Sequence, residues 1–233
     1  MDRSRALKET IGNPYYANRQ CDTLGMDSLE FCVLKQHYKS YGPVNYSFNE
    51  LGYRMDTQYP SDAILAIGDS FTLGLGVNVE DTWPAQLSKI LNYPVLNFSL
   101  NGASNDWIAR RSTELLDFFN PKLIVVHYSY SHRRERPNTD WLDHERTECE
   151  PIYTDEENLA NWHSNFDKIS TLGVPVIHSF ITDWHQTPID YTALGKNIIP
   201  PQPIGDLARD GFHYGPATHR NIAEKITNLL EFV

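Results

Sequence analysis

Two short runs bring together the residue types that acyl transfer needs. Gly68-Asp69-Ser70-Phe71-Thr72-Leu73-Gly74 follows the apolar run Ala63-Ile64-Leu65-Ala66-Ile67, and Asp210-Gly211-Phe212-His213 precedes the last periodic segment of the chain. A serine hydroxyl is a weak nucleophile and needs a base within hydrogen-bond reach. Histidine is the side chain suited to that task near neutrality, and a carboxylate beside it fixes its tautomer and stabilises the imidazolium. Asp210 and His213, three residues apart on one loop, can lie side by side. Each run alone also reads as an ordinary loop, a Gly/Ser turn in one case and a surface histidine in the other. Their coincidence, each beside the start of a helix, points to Ser70 as nucleophile with His213 and Asp210 as its base and orienter.

Other polar residues carry less. His127 and His132 flank the loop after a third apolar run, and loop or core filling is their simpler role. Asp183 and His185 form an Asp-Trp-His triplet, but a metal site needs further ligands at defined spacing, and none is evident; neither a metal nor an organic cofactor is expected. His219 reads as structural. Of the tryptophans, Trp83, Trp141, Trp162 and Trp184 read as core or lid residues, and Trp107, close to Gly102, is placed near the pocket. Asp69 and Asn105 join Trp107 as candidate substrate-binding residues.

These side chains must be held by regular elements, and from Asp62 onward the pattern is regular. Ala63–Ile67, Val95–Phe98, Leu123–Val126 and Val174–Ile177 are short apolar runs that suit buried parallel strands. Between them lie helices: one opening at Asp81-Thr82-Trp83-Pro84, one capped by Ser104 and running to Phe119, and one opening at Thr154-Asp155-Glu156-Glu157 with capping-box spacing. Gly215-Pro216 opens a terminal helix whose apolar positions Ile222, Ile226, Leu229 or Leu230, and Val233 recur at helical spacing. Alternating strands and helices predict a three-layer α/β domain over residues 61–233, with a parallel sheet of about five strands. Ligands bind such sheets beyond the carboxyl ends of the strands. Residues 1–60, rich in Tyr, Asn and Gly and without a long periodic segment, are expected to form an extension packed on that domain, with strand then turn at Asn45–Arg54. The long irregular stretches 132–153 and 183–209 are expected to shape the substrate site.

The combined pattern resembles the SGNH (GDSL-like) hydrolase superfamily. Gly68-Asp69-Ser70 matches its first block, Asn97-Phe98-Ser99-Leu100-Asn101-Gly102 is similar to its second, and Asp210-x-x-His213 matches its last. The run Asn49-Glu50-Leu51-Gly52-Tyr53-Arg54 is similar to a segment upstream of the nucleophile in many bacterial members. The resemblance implies a flavodoxin-like sheet, a Ser-His-Asp triad and no cofactor. It also implies an oxyanion hole supplied by the backbone N–H groups of Ser70 and Gly102. The family's third block is Gly-x-Asn, whose Asn is the third oxyanion donor. Here Ser129 stands at the Gly position and Ser131 at the Asn position, which leaves the shorter Ser131 hydroxyl, or Asn105, to take that role. The G-x-S-x-G elbow of α/β-hydrolases is absent around Ser70.

Composition agrees with a soluble, globular chain rather than a disordered one. The chain has 233 residues, 40% hydrophobic and 21% charged, with a formal net charge of -10. An acidic balance argues against a general nucleic-acid surface, and the short basic cluster Arg133, Arg134 and Arg136 reads as a solvated loop. No run of about 18 apolar residues predicts a membrane span. The charged N-terminus lacks a secretory apolar region, and three cysteines at irregular spacing make a poor disulfide framework, so a cytoplasmic setting is expected. The expected activity is hydrolysis of an ester, with an acyl (acetyl) group on a carbohydrate or other small ester as the candidate substrate. The rivals are O-acyl transfer by the same residues and an inactive binding module that keeps the fold.

Overall fold

The structure is a computed structural model that describes residues 3–36, 42–135, 153–182 and 189–230. Five strands form one sheet: β3 (Ile64–Gly68), β4 (Val95–Asn97), β5 (Leu123–Tyr128), β6 (Val176–Phe180) and β7 (Ile198–Ile199). Their order is β4-β3-β5-β6-β7 and every pairing is parallel. Before the sheet come α1 (Arg3–Ile11), β1 (Gln20–Cys21), α2 (Leu29–Leu34) and β2 (Tyr46–Ser47), with β1 and β2 antiparallel. The remaining helices are α3 (Ser70–Leu73), α4 (Trp83–Leu91), α5 (Asn105–Glu114), α6 (Asp155–Ser170) and α7 (Pro216–Leu230).

The strands are apolar on both faces because both faces are covered. Leu65, Ile67, Ile124 and Val126 pack with Trp107 and Ile108 of α5 and with Trp162, Phe166 and Ile169 of α6. Ile64, Ala66, Leu123 and Val125 face the other way, toward Trp83 and Leu87 of α4 and Ile222 and Ile226 of α7. This period-two alternation sorts one run of hydrophobic residues into two cores. The result is a three-layer, flavodoxin-like α/β fold.

Local signals place the helix starts. Thr82 and Ser104 cap α4 and α5 through side-chain oxygens, and Thr154 with Glu157 completes a reciprocal capping box at α6. The carboxylate of Asp206 accepts from Ala217 N and Thr218 N in the first turn of α7.

Several boundaries depart from the sequence reading. β5 runs on through His127 and Tyr128, where His127 Nδ1 and Tyr128 Oη find partners across the sheet in Ser179 Oγ and His178 Nδ1. β6 begins after Pro175 and extends to Phe180, since Pro175 offers its carbonyl, accepting from Ile124 N, but no N–H. β7 lies inside a stretch read as irregular. Helix α5 ends at Glu114 and gives way to a 3-10 turn over Leu115–Asp117. The sequence reading offers no α1; Leu7 and Ile11, one turn apart, are buried and both join the core that contains α5. Tyr53 Oη donates to the carbonyl of Ile11 at 2.7 Å. Among the described residues no helix is long and apolar enough to cross a membrane.

Candidate active site

Ser70 stands immediately beyond the carboxyl end of β3, as the first residue of α3. Asp69 caps that helix, accepting from Phe71 N through Oδ1 at 3.0 Å. The preceding Gly68 is required by space, because a Cβ there would run into the Thr72 hydroxyl and come within 2.9 Å of the His127 carbonyl. The second-block loop is tied to the same strand end. Leu100 N donates to Gly68 O, and the Asn97 amide donates to Thr72 O at 3.1 Å.

His213 reaches Ser70 from the other side, on a loop folded back on itself by Ala208 N donating to His213 O. His213 Nε2 lies 2.8 Å from Ser70 Oγ, and Nδ1 lies 2.5 Å from Asp210 Oδ2. Asp210 Oδ1 also accepts from the backbone N–H groups of Phe212 and His213, both at 3.0 Å. A carboxylate can only accept, so Nδ1 carries the proton and Nε2 is left to accept from the serine hydroxyl. Burial alone would raise the Asp210 carboxyl; the hydrogen bonds and charge of His213, with the Phe212 amide, outweigh it and hold the group below the ordinary carboxylate range. The imidazole packs against two rings, Phe71 at 4.5 Å and Phe212 at 5.1 Å between centroids, which also pack on each other.

The other nominated residues fall into a different order. Asp69 is fully buried, and its Oδ2 accepts from Ser129 Oγ at 2.6 Å and from Arg133 Nη1 at 3.0 Å. Asn105 is equally buried: its amide donates to the carbonyls of Ser129 and Tyr130, and its Oδ1 accepts from Ser129 N. Trp107 is packed in the core with the Arg111 guanidinium 5.1 Å above its ring. None of the three presents itself to a substrate as expected: Asp69 and Asn105 fasten the third-block loop, and Trp107 fills the core. Ser131 lies beyond Ser129 and lines a small cavity with Trp162, Phe180 and Tyr191, while Ser129 touches Asp69. His127 is a buried strand residue, and His219 Nδ1 accepts from Trp83 N at 3.1 Å. Trp141, Asp183, Trp184 and His185 lie outside the described residues.

Arg133 corrects the reading of its basic cluster. It is buried, its guanidinium lies 4.9 Å from the Tyr130 ring centroid, and it pairs with Asp69 next to Ser70. Nothing local marks it, because its partner is 64 positions away. Arg133→Met should lower unfolding free energy by about 3–5 kcal/mol in urea titrations, since Asp69 is left as an uncompensated buried charge. An unchanged midpoint would remove Arg133 from that role.

No protein-family model matches the sequence, and no curated protein matches it either. Its fold, however, has solved counterparts. TesA aligns with a TM-score of 0.52 at 20% identity, over 73% of this chain and 98% of that one. A protein of Desulfitobacterium hafniense assigned to the G-D-S-L lipolytic family aligns at 0.50 and 17%, over 72% and 98%. A family two carbohydrate esterase from Clostridium thermocellum, solved with cellohexaose, aligns at 0.51 and 13%, over 77% and 68%. Read together with the Ser70 and His213 loops at the carboxyl edge of the sheet, these likenesses identify the fold of this chain as that of the SGNH (GDSL-like) hydrolases.

Proposed function

We propose that the chain is a serine esterase in which Ser70, His213 and Asp210 form the catalytic triad. The observation that carries this reading is the continuous contact chain from Ser70 Oγ through the imidazole to the Asp210 carboxylate. His213 Nε2 takes the Ser70 proton as Oγ attacks the acyl carbonyl, giving a tetrahedral intermediate. The same nitrogen then protonates the leaving alkoxide, and an acyl-serine remains. Water, deprotonated by His213, attacks that ester; the acid leaves and Ser70 recovers its proton. The backbone N–H groups of Ser70 and Gly102 are the proposed oxyanion donors.

An ester of a small alcohol is the substrate class, with an acetylated carbohydrate as the specific candidate. The carbohydrate esterases among the fold relatives support that choice, including an acetyl xylan esterase from Butyrivibrio proteoclasticus. Purified protein should release acetate from an aryl acetate and from acetylated xylo-oligosaccharides. Product analysis with and without an unacetylated sugar acceptor separates hydrolysis from transfer. No turnover on any ester would leave the binding-module alternative.

Ser131 stays in the proposal as third donor. On that assignment Ser131→Ala lowers kcat about a hundredfold and leaves KM nearly unchanged. An unchanged kcat would reduce Ser131 to a wall of its cavity.

A further inference from the structure

The nucleophile and the base come from loops far apart in sequence, and one carboxylate in the N-terminal region touches the anchoring of both. Asp27 is fully buried. Its Oδ1 accepts from Thr23 Oγ1 at 2.9 Å and Leu24 N at 2.8 Å. Its Oδ2 accepts from Tyr46 Oη at 2.5 Å and from Arg209 Nε and Nη2 at 3.0 and 2.6 Å. Arg209 immediately precedes Asp210. Its guanidinium also donates to the carbonyls of Asp22 and Gly42, and its own carbonyl accepts from Cys32 Sγ.

The nucleophile's side is held by the same group. Tyr46 Oη, while donating to Asp27, accepts from Gly76 N at 2.7 Å. Gly76 O in turn accepts from Arg209 N. Arg54, stacked 4.4 Å from the Tyr46 ring centroid, donates to the carbonyls of Gly74 and Val77 at 2.7 and 2.8 Å. The two loops meet backbone to backbone at Gly76, where an added Cβ would lie 2.7 Å from Ala208 Cβ.

We infer that Asp27, acting through Tyr46 and Arg209, is a positioning residue that sets the distance between Ser70 and His213; this rests on reading those two as nucleophile and base. The N-terminal region is then part of the catalytic apparatus rather than an accessory layer. A buried ion pair contributes little net stability against apolar packing, but it fixes geometry where both partners are fully hydrogen-bonded. A misplacement of about 1 Å at a reacting pair costs roughly a hundredfold in rate.

Asp27→Asn keeps the shape and removes the charge. It should lower kcat on an aryl ester about a hundredfold with little change in KM. It should also weaken or shift the low-field proton NMR resonance of the His213 Nδ1–H, which reads the imidazole directly and needs no turnover. Should Asp27→Asn fail to fold, Tyr46→Phe, which keeps the ion pair and removes one hydroxyl, carries the same two readouts with a smaller loss of kcat. A merely structural role would lower the melting temperature and leave both readouts of the folded protein as in wild type; that result overturns the inference. If the esterase reading itself is wrong, the wild type turns over no ester, yet the His213 resonance still responds to Asp27→Asn.

Discussion

Ser70→Ala and His213→Ala should each remove about four to six orders of magnitude from kcat on a short-chain aryl ester. The double variant should be scarcely worse than either single one. In the proposed mechanism the two side chains act as one unit: without the hydroxyl there is nothing for Nε2 to deprotonate, and without the imidazole the hydroxyl stays a weak nucleophile. Residual activity would come from oxyanion stabilisation and binding alone. KM should change far less than kcat, because the lost interaction develops only in the transition state. Both variants should fold, since neither side chain carries the core. Full activity in a folded Ser70→Ala protein would place the nucleophile elsewhere.

Stability should fall steeply on acidification, through histidines outside the triad. Burial lowers His127 and His219 to about 3 and His178 to about 4. For His219 the neighbouring His127, Arg54 and His213 add to the effect of burial. All three are nearly inaccessible, and among the described residues Nε2 of His127 and of His219 has no hydrogen-bond partner. In the unfolded chain a histidine titrates near 6.5. Between these values the unfolded state holds protons that the folded state refuses. Stability is therefore complete above the unfolded value and is lost as pH falls toward the folded one. At about pH 5 each group costs about 2 kcal/mol, or about 6 kcal/mol for the three. That is comparable with the whole stability of many domains. Asp210, held below the carboxylate range, adds to the loss at still lower pH. Urea titrations at about pH 7.5 and 5 should show most of this difference, and His219→Gln should flatten the slope. Equal midpoints at the two pH values would contradict the burial assigned to these rings.

The pairing of Ser70 with His213, the proposed nucleophile and base, was legible because each sits in a run of a few residues with its own geometric demand. Gly68 leaves room for the Thr72 hydroxyl, and Asp210 caps its own loop three residues before His213. The sheet was legible because its strands are continuous apolar runs separated by capped helices. What escaped was long-range. Arg133 looks solvated until the chain folds Asp69 against it, and Asp27 acquires meaning only beside Arg209, 182 positions later. Strand ends were cut short where polar residues began, because His127 and Tyr128 find partners only across the sheet. Asp69 and Asn105 read as substrate contacts because loop residues beside a candidate nucleophile are often exposed, whereas in the fold their polar atoms satisfy the backbone and side chains of the neighbouring loop.

The most direct test of the central claim is covalent labelling. Wild-type protein incubated with a fluorophosphonate probe, digested and analysed by mass spectrometry should carry one adduct, on Ser70, with stoichiometric loss of esterase activity. His213→Ala should label far more slowly. Esterase activity that persists with Ser70 unlabelled, or an adduct that accounts for inactivation on another residue, would contradict the account.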